Sequence, residues 1–294
     1  MSAPDSGLLH ERLLAWYGTC ARDLPWRDPA ASPYAVLVSE VMLQQTPVAR
    51  VLPVYEAWLQ RWPTVGDLAG AAAGDAVRAW GRLGYPRRAL RLHTAAGVVV
   101  DVHGGEVPVD LAALRALPGV GEYTAAAVAA FAHRQRHPVL DTNVRRVLSR
   151  VVVGEALPPP SLRQHERSTA AQLLPADGDT SATWSVAVME LGALVCTASA
   201  PRCMQCPVAD ICCWRRNGSP AYAGLPRPRQ AWHGTDRQCR GELLTVLREA
   251  VEPVARAFLC PSWPDPVQRD RALSGLVADG LVEARDGDRF ELPR

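Results

Sequence analysis

"DLAALRALPGVGEYTAAAVAAF", residues 110–131, reads as two apolar-periodic stretches joined by the turn "LPGVG", 117–121. Leu and Ala at helical spacing predict a helix on each side of the turn. Gly119 and Gly121 permit positive φ and leave the turn without side chains that would block close approach. The second helix starts there, so its free backbone N–H groups and positive end can face an anion such as a DNA phosphate. Alone, the five-residue string fits a plain helix–helix turn equally well. Flanked by two amphipathic helices, it points more firmly to a phosphate-facing hairpin.

Outward from this hairpin the chain keeps reading as helix. The spacing predicts helices over 7–20, 33–62, about 74–80, 87–102, 141–152, 161–174 and 180–195, and alternating strand patterns are scarce before 225. The fold class expected is therefore mainly all-α. Composition shifts at "NGSPAYAGLPRPRQAWHG", 217–234, a Pro-, Gly- and Arg-rich linker. Beyond it come two helical stretches, 237–250 and 264–280, then "LVEARDGDRFELP", 281–293, two strand-like runs around an Asp-Gly turn. Helices followed by a terminal hairpin suggest a small winged-helix-like α+β module.

The 294 residues suit about two domains at roughly 150 residues each. Hydrophobic content of 48% is enough for real cores, and 21% charge is ordinary for a soluble chain. No apolar run approaches the ~18 residues of a membrane span, and the N-terminus lacks a signal-peptide layout. A cytoplasmic location follows as the expectation. A net charge of +2 decides nothing about partners, but all 32 basic residues are Arg. With no Lys in the chain, mechanisms that need a lysine amine nucleophile are excluded.

Eight Cys in an intracellular chain suggest metal or redox chemistry. Four of them, Cys196, Cys203, Cys206 and Cys212, fall at C-x6-C-x2-C-x5-C within 17 residues. Thiolate-only ligation suits an iron–sulfur cluster or zinc, and zinc ribbons usually carry two C-x2-C pairs where this loop has one. Cys213 adjoins the fourth ligand and leaves the set ambiguous; Cys20, Cys239 and Cys260 read as core or surface residues. "SEVMLQQT", 39–46, puts Glu40, Gln44 and Gln45 on an apolar helix, where solvent-facing positions are the plain alternative. Asp141, in "VLDTNVRR", stands where an ordinary helix N-cap would.

Taken together, hairpin, following Asp and four-Cys loop resemble the helix-hairpin-helix DNA glycosylase superfamily with an iron–sulfur loop. "LPWR", "PY", "SEVMLQQT", "LGY", "LPGVG" with "YTA", "LDTNVRRVLSR" and "ELGALVC" are similar, in order over 22–212, to the MutY family of adenine glycosylases acting on A opposite 8-oxoguanine. The endonuclease III family would place a catalytic Lys where this chain has Tyr123 and would lack "QQT".

The resemblance implies a base-excision-repair enzyme, monofunctional and base-flipping. Glu40 would protonate adenine as the glycosidic bond breaks, a buried carboxyl holding its proton to higher pH. Asp141 would stabilise the oxocarbenium-like sugar and position water, with Asn143 and Tyr123 ordering the site. Base and DNA contacts would come from Arg22, Leu24, Trp26, Arg27, Gln44, Gln45, Thr46, Leu83, Tyr85, Gly119, Val120 and Gly121. Cys196, Cys203, Cys206 and Cys212 would hold a [4Fe-4S] cluster, with Arg202, Arg215 and Arg216 near phosphates. The implied architecture is a bilobal catalytic region, 1–224, made of a helical barrel at about 29–136 and a cluster lobe of about 1–28 plus 137–224, with the active site in the cleft. The linker and winged-helix-like module occupy 225–294. The partner would be duplex DNA with A opposite 8-oxoguanine or G, and the enzyme a nucleoid-associated monomer.

Two departures stand out. The family commonly carries a Nudix-like C-terminal domain of well over 100 residues, where only about 70 remain here, and Val186 stands where relatives usually have Gln or Glu. A glycosylase for T or U opposite G is the rival of the same fold; "QQT" and Glu40 argue against it. A non-catalytic iron–sulfur DNA-binding or redox-sensing protein is the rival of another class.

Overall fold

The computed structural model describes residues 4–222, 224 and 231–294; the centre of the expected linker lies outside the described residues. By its contacts the chain forms two compact units. The first comprises Met1–Val36, Val109–Arg115 and Val120–Pro226, the second Leu37–Pro108, Ala116–Gly119 and Arg227–Arg294. The C-terminal segment is thus grouped with the helices of 37–108.

In the first unit, α1 (Ser6–Cys20) starts where the Asp5 carboxylate accepts from the Leu8 N–H. Its Leu9 and Leu13 enter a core shared with α9 (Thr142–Leu148), α10 (Gln164–Gln172) and α11 (Gly178–Leu194). Val144, Val147, Leu148, Trp184, Val188 and Leu191 fill it. α11 carries Gly192 against α9: a Cβ there would lie 2.6 Å from the Asn143 Cβ and 3.0 Å from the Asn143 carbonyl oxygen. Only a side chain ending at Cα lets the two helices pack this closely. α9 widens into a π-type turn, Ser149–Val153, before Gly154 reverses the chain at φ 90°. The short α12 (Cys213–Arg216) follows the cysteine loop.

The hairpin forms as the sequence predicts, α7 (Leu111–Ala116) and α8 (Glu122–Phe131) around 117–121. α8 is buried along Thr124–Ala130, a run of small residues that lets neighbours come near.

In the second unit the single helix expected over 33–62 is two. α2 (Pro33–Leu43) ends before Gln44, and α3 (Val48–Arg61) begins after Pro47. Pro47 has no N–H to continue the ladder, and Gln45 sits at φ 55°. α4 (Val65–Ala69), α5 (Ala73–Trp80) and α6 (Arg87–His103) follow, and Trp58 on α3 meets Trp62 and Trp80 edge-on with ring centroids 4.7 and 5.8 Å away.

The C-terminal module comprises α13 (Asp236–Glu249), β1 (Val254–Ala255), α14 (Pro266–Ala278), β2 (Glu283–Arg285) and β3 (Arg289–Glu291). The expected hairpin is β2 and β3, paired antiparallel with Ala284 opposite Phe290; the sequence reading missed β1. At two residues, β1 is too short to show alternation, and it completes a sheet of order β1-β3-β2. Helix, short strand, helix and hairpin agree with the winged-helix-like reading. Its last residues lie on α5, where the Gly74 N–H donates to the Pro293 carbonyl oxygen at 2.6 Å. Among the described residues no helix is long and apolar enough to cross a membrane.

Candidate active site and cysteine loop

Glu40 lies on α2 in the second unit and is 5% exposed, beside the equally buried Ser39, Val41 and Met42. It is not on a solvated face. Just beyond it, the α2 carboxyl end leaves carbonyls that no further turn can satisfy. One buried side chain that sequence reasoning missed collects them. The Arg88 guanidinium donates to the carbonyl oxygens of Val41 at 2.8 Å, Met42 at 3.1 Å and Gln44 at 2.6 Å. Its other arm donates to Thr46 Oγ1 at 3.0 Å and to the Gly84 carbonyl at 3.1 Å. Burial holds its pKa well below the usual guanidinium range, down to about 10. Its cation lies 5.2 Å from the Trp80 ring centroid and 5.5 Å from that of Tyr85. A planar fork of five donors suits such a task, which an ammonium could not perform.

Arg88 therefore ties two turns together, Gln44–Thr46 and Gly81–Pro86. Thr46 is buried, and its hydroxyl donates to the Leu83 carbonyl at 3.4 Å. Leu83 is buried as well. Thr46 and Leu83 thereby join the two turns. Gln45 and Tyr85 are exposed in these turns, both at positive φ, 55° and 48°. Non-glycine residues hold that conformation only where their surroundings enforce it. Tyr85 keeps half its surface open.

The first unit holds the other carboxylate. Asp141 caps α9, accepting from the Val144 N–H at 2.6 Å and from Asn143 Nδ2 at 2.8 Å. The N-cap is real, and the Asn143 amide adds a second donor. Burial raises the Asp141 pKa, while these donors and the Arg146 charge restrain it. Asn143 Oδ1 accepts from Arg146 at 2.8 Å; Arg146 also donates to the carbonyl oxygens of Cys196 and Gly192, each at 2.7 Å. Tyr123, on α8, packs half-buried beside Ala127, Ala130 and Val139. Val186 is half-buried on α11.

The "LPWR" residues form the short turn that follows α1. Leu24 and Trp26 are buried, with little surface to offer a base. Arg22 and Arg27 converge on Glu190, which is fully buried on α11: Arg22 donates through Nε at 2.8 Å and a terminal nitrogen at 2.6 Å, Arg27 at 2.8 Å. The Arg22 backbone N–H adds a bond at 3.0 Å. Despite burial, the two guanidinium groups hold the Glu190 carboxyl down at about 2. These contacts anchor the loop after α1.

In the hairpin turn, Gly119 has φ 81°, and a Cβ there would meet the Arg91 Cβ at 2.8 Å. Gly121 is extended and open, with nothing within 4 Å of its would-be Cβ. As the N-cap of α8 it offers no side-chain acceptor, so the first N–H groups of α8 are not capped by it. Val120 is buried.

Among the described residues no three His, Cys, Asp or Glu side chains converge tightly enough to hold a single metal ion. The four cysteines nonetheless feel one another: Cys206 is pushed up to about 12, by burial first and then by Cys196, Cys212 and Cys203. Burial likewise raises Cys212. Thiols this costly to ionise alone suit a cluster that takes up their charge. Arg150, 3% exposed, donates to Cys196 Sγ at 3.3 Å and to the carbonyls of Thr197 and Ala198 at 2.7 and 3.1 Å, and it stacks on Trp214. Cys213 is buried on α12, Cys239 and Cys260 are buried in the second unit, and Cys20 is exposed. Arg202 and Arg216 remain exposed and Arg215 half-buried.

Hairpin, the Glu40 and Asp141 carboxylates and the cysteine loop define a helix-hairpin-helix DNA glycosylase with an iron–sulfur domain. Residues 38–172 match the HhH-GPD superfamily of base excision DNA repair proteins, and 196–212 match the iron-sulfur binding domain of endonuclease III. The chain is 54% identical to the adenine DNA glycosylase of Mycobacterium tuberculosis, over 96% of this chain and 92% of that one. It is 53% identical to that of Mycolicibacterium smegmatis, over 95% and 94%. A thermostable thymine-DNA glycosylase structure superposes with a TM-score of 0.65 at 26% identity, covering 72% of this chain and 97% of that one. The chain belongs to the adenine DNA glycosylase family, enzymes that hydrolyse N-glycosyl bonds in base excision repair.

Proposed function

We propose that this glycosylase releases adenine from duplex DNA where adenine faces 8-oxoguanine or guanine, acting as a nucleoid-associated cytoplasmic monomer. The adenine leaves the base stack before reaction. Glu40 gives its proton to the adenine ring as the bond from the sugar to the base nitrogen breaks. Burial disfavours an ionised carboxyl, which suits a donor near neutral pH. Asp141, ionised, faces the positive charge that develops on the sugar. Asn143 and Tyr123 order the surroundings, and water supplies the hydroxyl to the sugar carbon and releases a proton. Gln45 and Tyr85 meet the base left opposite.

Cys196, Cys203, Cys206 and Cys212 would hold a [4Fe-4S] cluster. When bound, it supplies a cross-link of the loop and a redox-capable centre. Arg146 and Arg150 hold the loop's backbone from the protein side.

A buried Glu40 and a desolvated, hydrogen-bonded Asp141 in a chain with no lysine amine support hydrolysis without strand cleavage. The test is single-turnover base release from duplexes carrying A opposite 8-oxoguanine, A opposite G, and T or U opposite G, with and without alkali. Adenine release that gives strand breaks only after alkali is expected, abolished by Glu40→Gln with duplex binding retained. Since Asp141 works ionised, the rate should fall as pH drops through its raised pKa. Release of T or U alone would overturn the substrate assignment.

A further inference from the structure

The C-terminal module has a winged-helix-like arrangement, which would ordinarily suggest a second DNA-reading element. Its charge argues against that. Residues 231–294 carry nine Arg against eleven Asp and Glu, a net of −2, which leaves +4 on 1–230. Most of those arginines are already matched. Arg271 bonds Asp236 at 2.8 Å, Arg256 bonds Asp288 at 2.9 Å, Arg285 bonds Glu283 and Glu291 at 2.6 Å, and Arg240 bonds Asp279. Guanidinium groups so engaged have little left to displace counterions from a phosphate chain.

What the module does touch is specific. Arg248, on α13, donates to the Val77 carbonyl at 3.0 Å, and Arg78 donates back to the Arg248 carbonyl at 3.0 Å. Arg248 is buried enough that its pKa falls to about 10. At the end of α14, Asp279 accepts from Arg87 at 2.9 Å while also holding Arg240. Val77 and Arg78 belong to the last turn of α5, and Arg87 opens α6. The segment between those two anchor points is Gly81–Pro86, the turn that exposes Tyr85 at φ 48° and is tied through Arg88 to the Gln45 turn.

We propose that the C-terminal module is a brace. It holds the α5 end and the α6 start so that the intervening turn presents Tyr85 in a fixed place, and through that turn it sets discrimination between bases opposite adenine. Asp279, Arg87 and Arg248 are positioning residues; none needs to touch DNA. The specificity half of this inference rests on the reading of Gln45 and Tyr85 given above.

The test uses the full-length, cluster-loaded protein with Asp279→Ala and Arg87→Ala, and Arg271→Ala as a control within the same module. Two readouts are taken: hydrogen exchange of 81–86, and the ratio of single-turnover adenine release opposite 8-oxoguanine to that opposite G. Loss of a part-exposed ion pair should speed exchange and lower the ratio by about twofold to fivefold for Asp279→Ala and Arg87→Ala. Arg271→Ala should change neither. Unchanged exchange in both brace variants overturns the brace. Faster exchange with an unchanged ratio overturns the specificity step. Weaker binding of undamaged duplex by Arg271→Ala overturns the proposal in favour of direct DNA reading. A wild-type enzyme that releases adenine equally opposite both bases overturns the reading of Tyr85, and the exchange result then decides the brace by itself.

Discussion

Replacing Glu190 by Gln removes a charge while keeping nearly the same shape. In the wild type that carboxylate is wholly buried and takes four hydrogen bonds, three from Arg22 and one from Arg27. Its pKa is held at about 2 against the usual 4.5. At about 1.4 kcal/mol per pH unit, that gap corresponds to about 3 kcal/mol. The Arg22 side chain is a third exposed, so solvent screening brings the figure to about 2 kcal/mol. A depressed carboxylate pKa stabilises the fold above the unfolded value, and the contribution fades as pH falls toward the folded value. Glu190→Gln should therefore unfold about 2 kcal/mol more easily at pH 7, a shift of about 3 °C in Tm for a chain of 294 residues. Urea midpoints of both proteins, followed by helical circular dichroism from pH 7 to pH 3, measure the difference. More than half of the wild-type advantage should be gone by pH 3. A difference that stays constant across that range would show that the charge is not the source of the stability.

Arg88→Lys keeps a positive charge but cannot reach all five acceptors, so it should destabilise nearly as much as Arg88→Met, by about 3 kcal/mol or more, read from thermal unfolding. Gly192→Ala drives a methyl into the Asn143 backbone; it should cost about 1–3 kcal/mol and slow adenine release with duplex binding retained, by single-turnover kinetics beside a gel-shift assay.

The parts of the site legible in the sequence were those whose chemistry is rare. Four cysteines in a short loop, two glycines in a turn, and an acid on an apolar helix each break the background pattern. Arginine does not, in a chain where every basic residue is Arg. Arg88, Arg146 and Arg150 are each under a tenth exposed and organise, respectively, the "QQT" turn, the Asp141–Asn143 pair and the cysteine loop. Their sequence neighbours give no hint of that, because their acceptors are backbone carbonyls, which every residue has. The same holds for Arg22 and Arg27, whose shared acceptor, Glu190, lies more than 160 positions away in the sequence. The break at Gln44–Pro47 was signalled by Pro47, but the apolar periodicity on both sides outweighed it.

A lysine-free chain also constrains how such a site can be held. Lysine would give each α2 carbonyl a single point donor, whereas one Arg88 fork serves Val41, Met42, Gln44, Thr46 and Gly84 together. Because those acceptors belong to both turns, displacing either one removes bonds from the other. Gln45 and Tyr85 are exposed on that shared unit, and both sit in a backbone conformation that would relax if it loosened. The same unit continues outward through Gly81–Pro86 to Asp279 and Arg248. On the proposed reading, discrimination at the base opposite adenine would follow from backbone placement, with Arg88, Arg87 and Arg248 as positioning groups. It should respond more strongly to changes at Arg88 than to removal of the exposed Arg202 or Arg216.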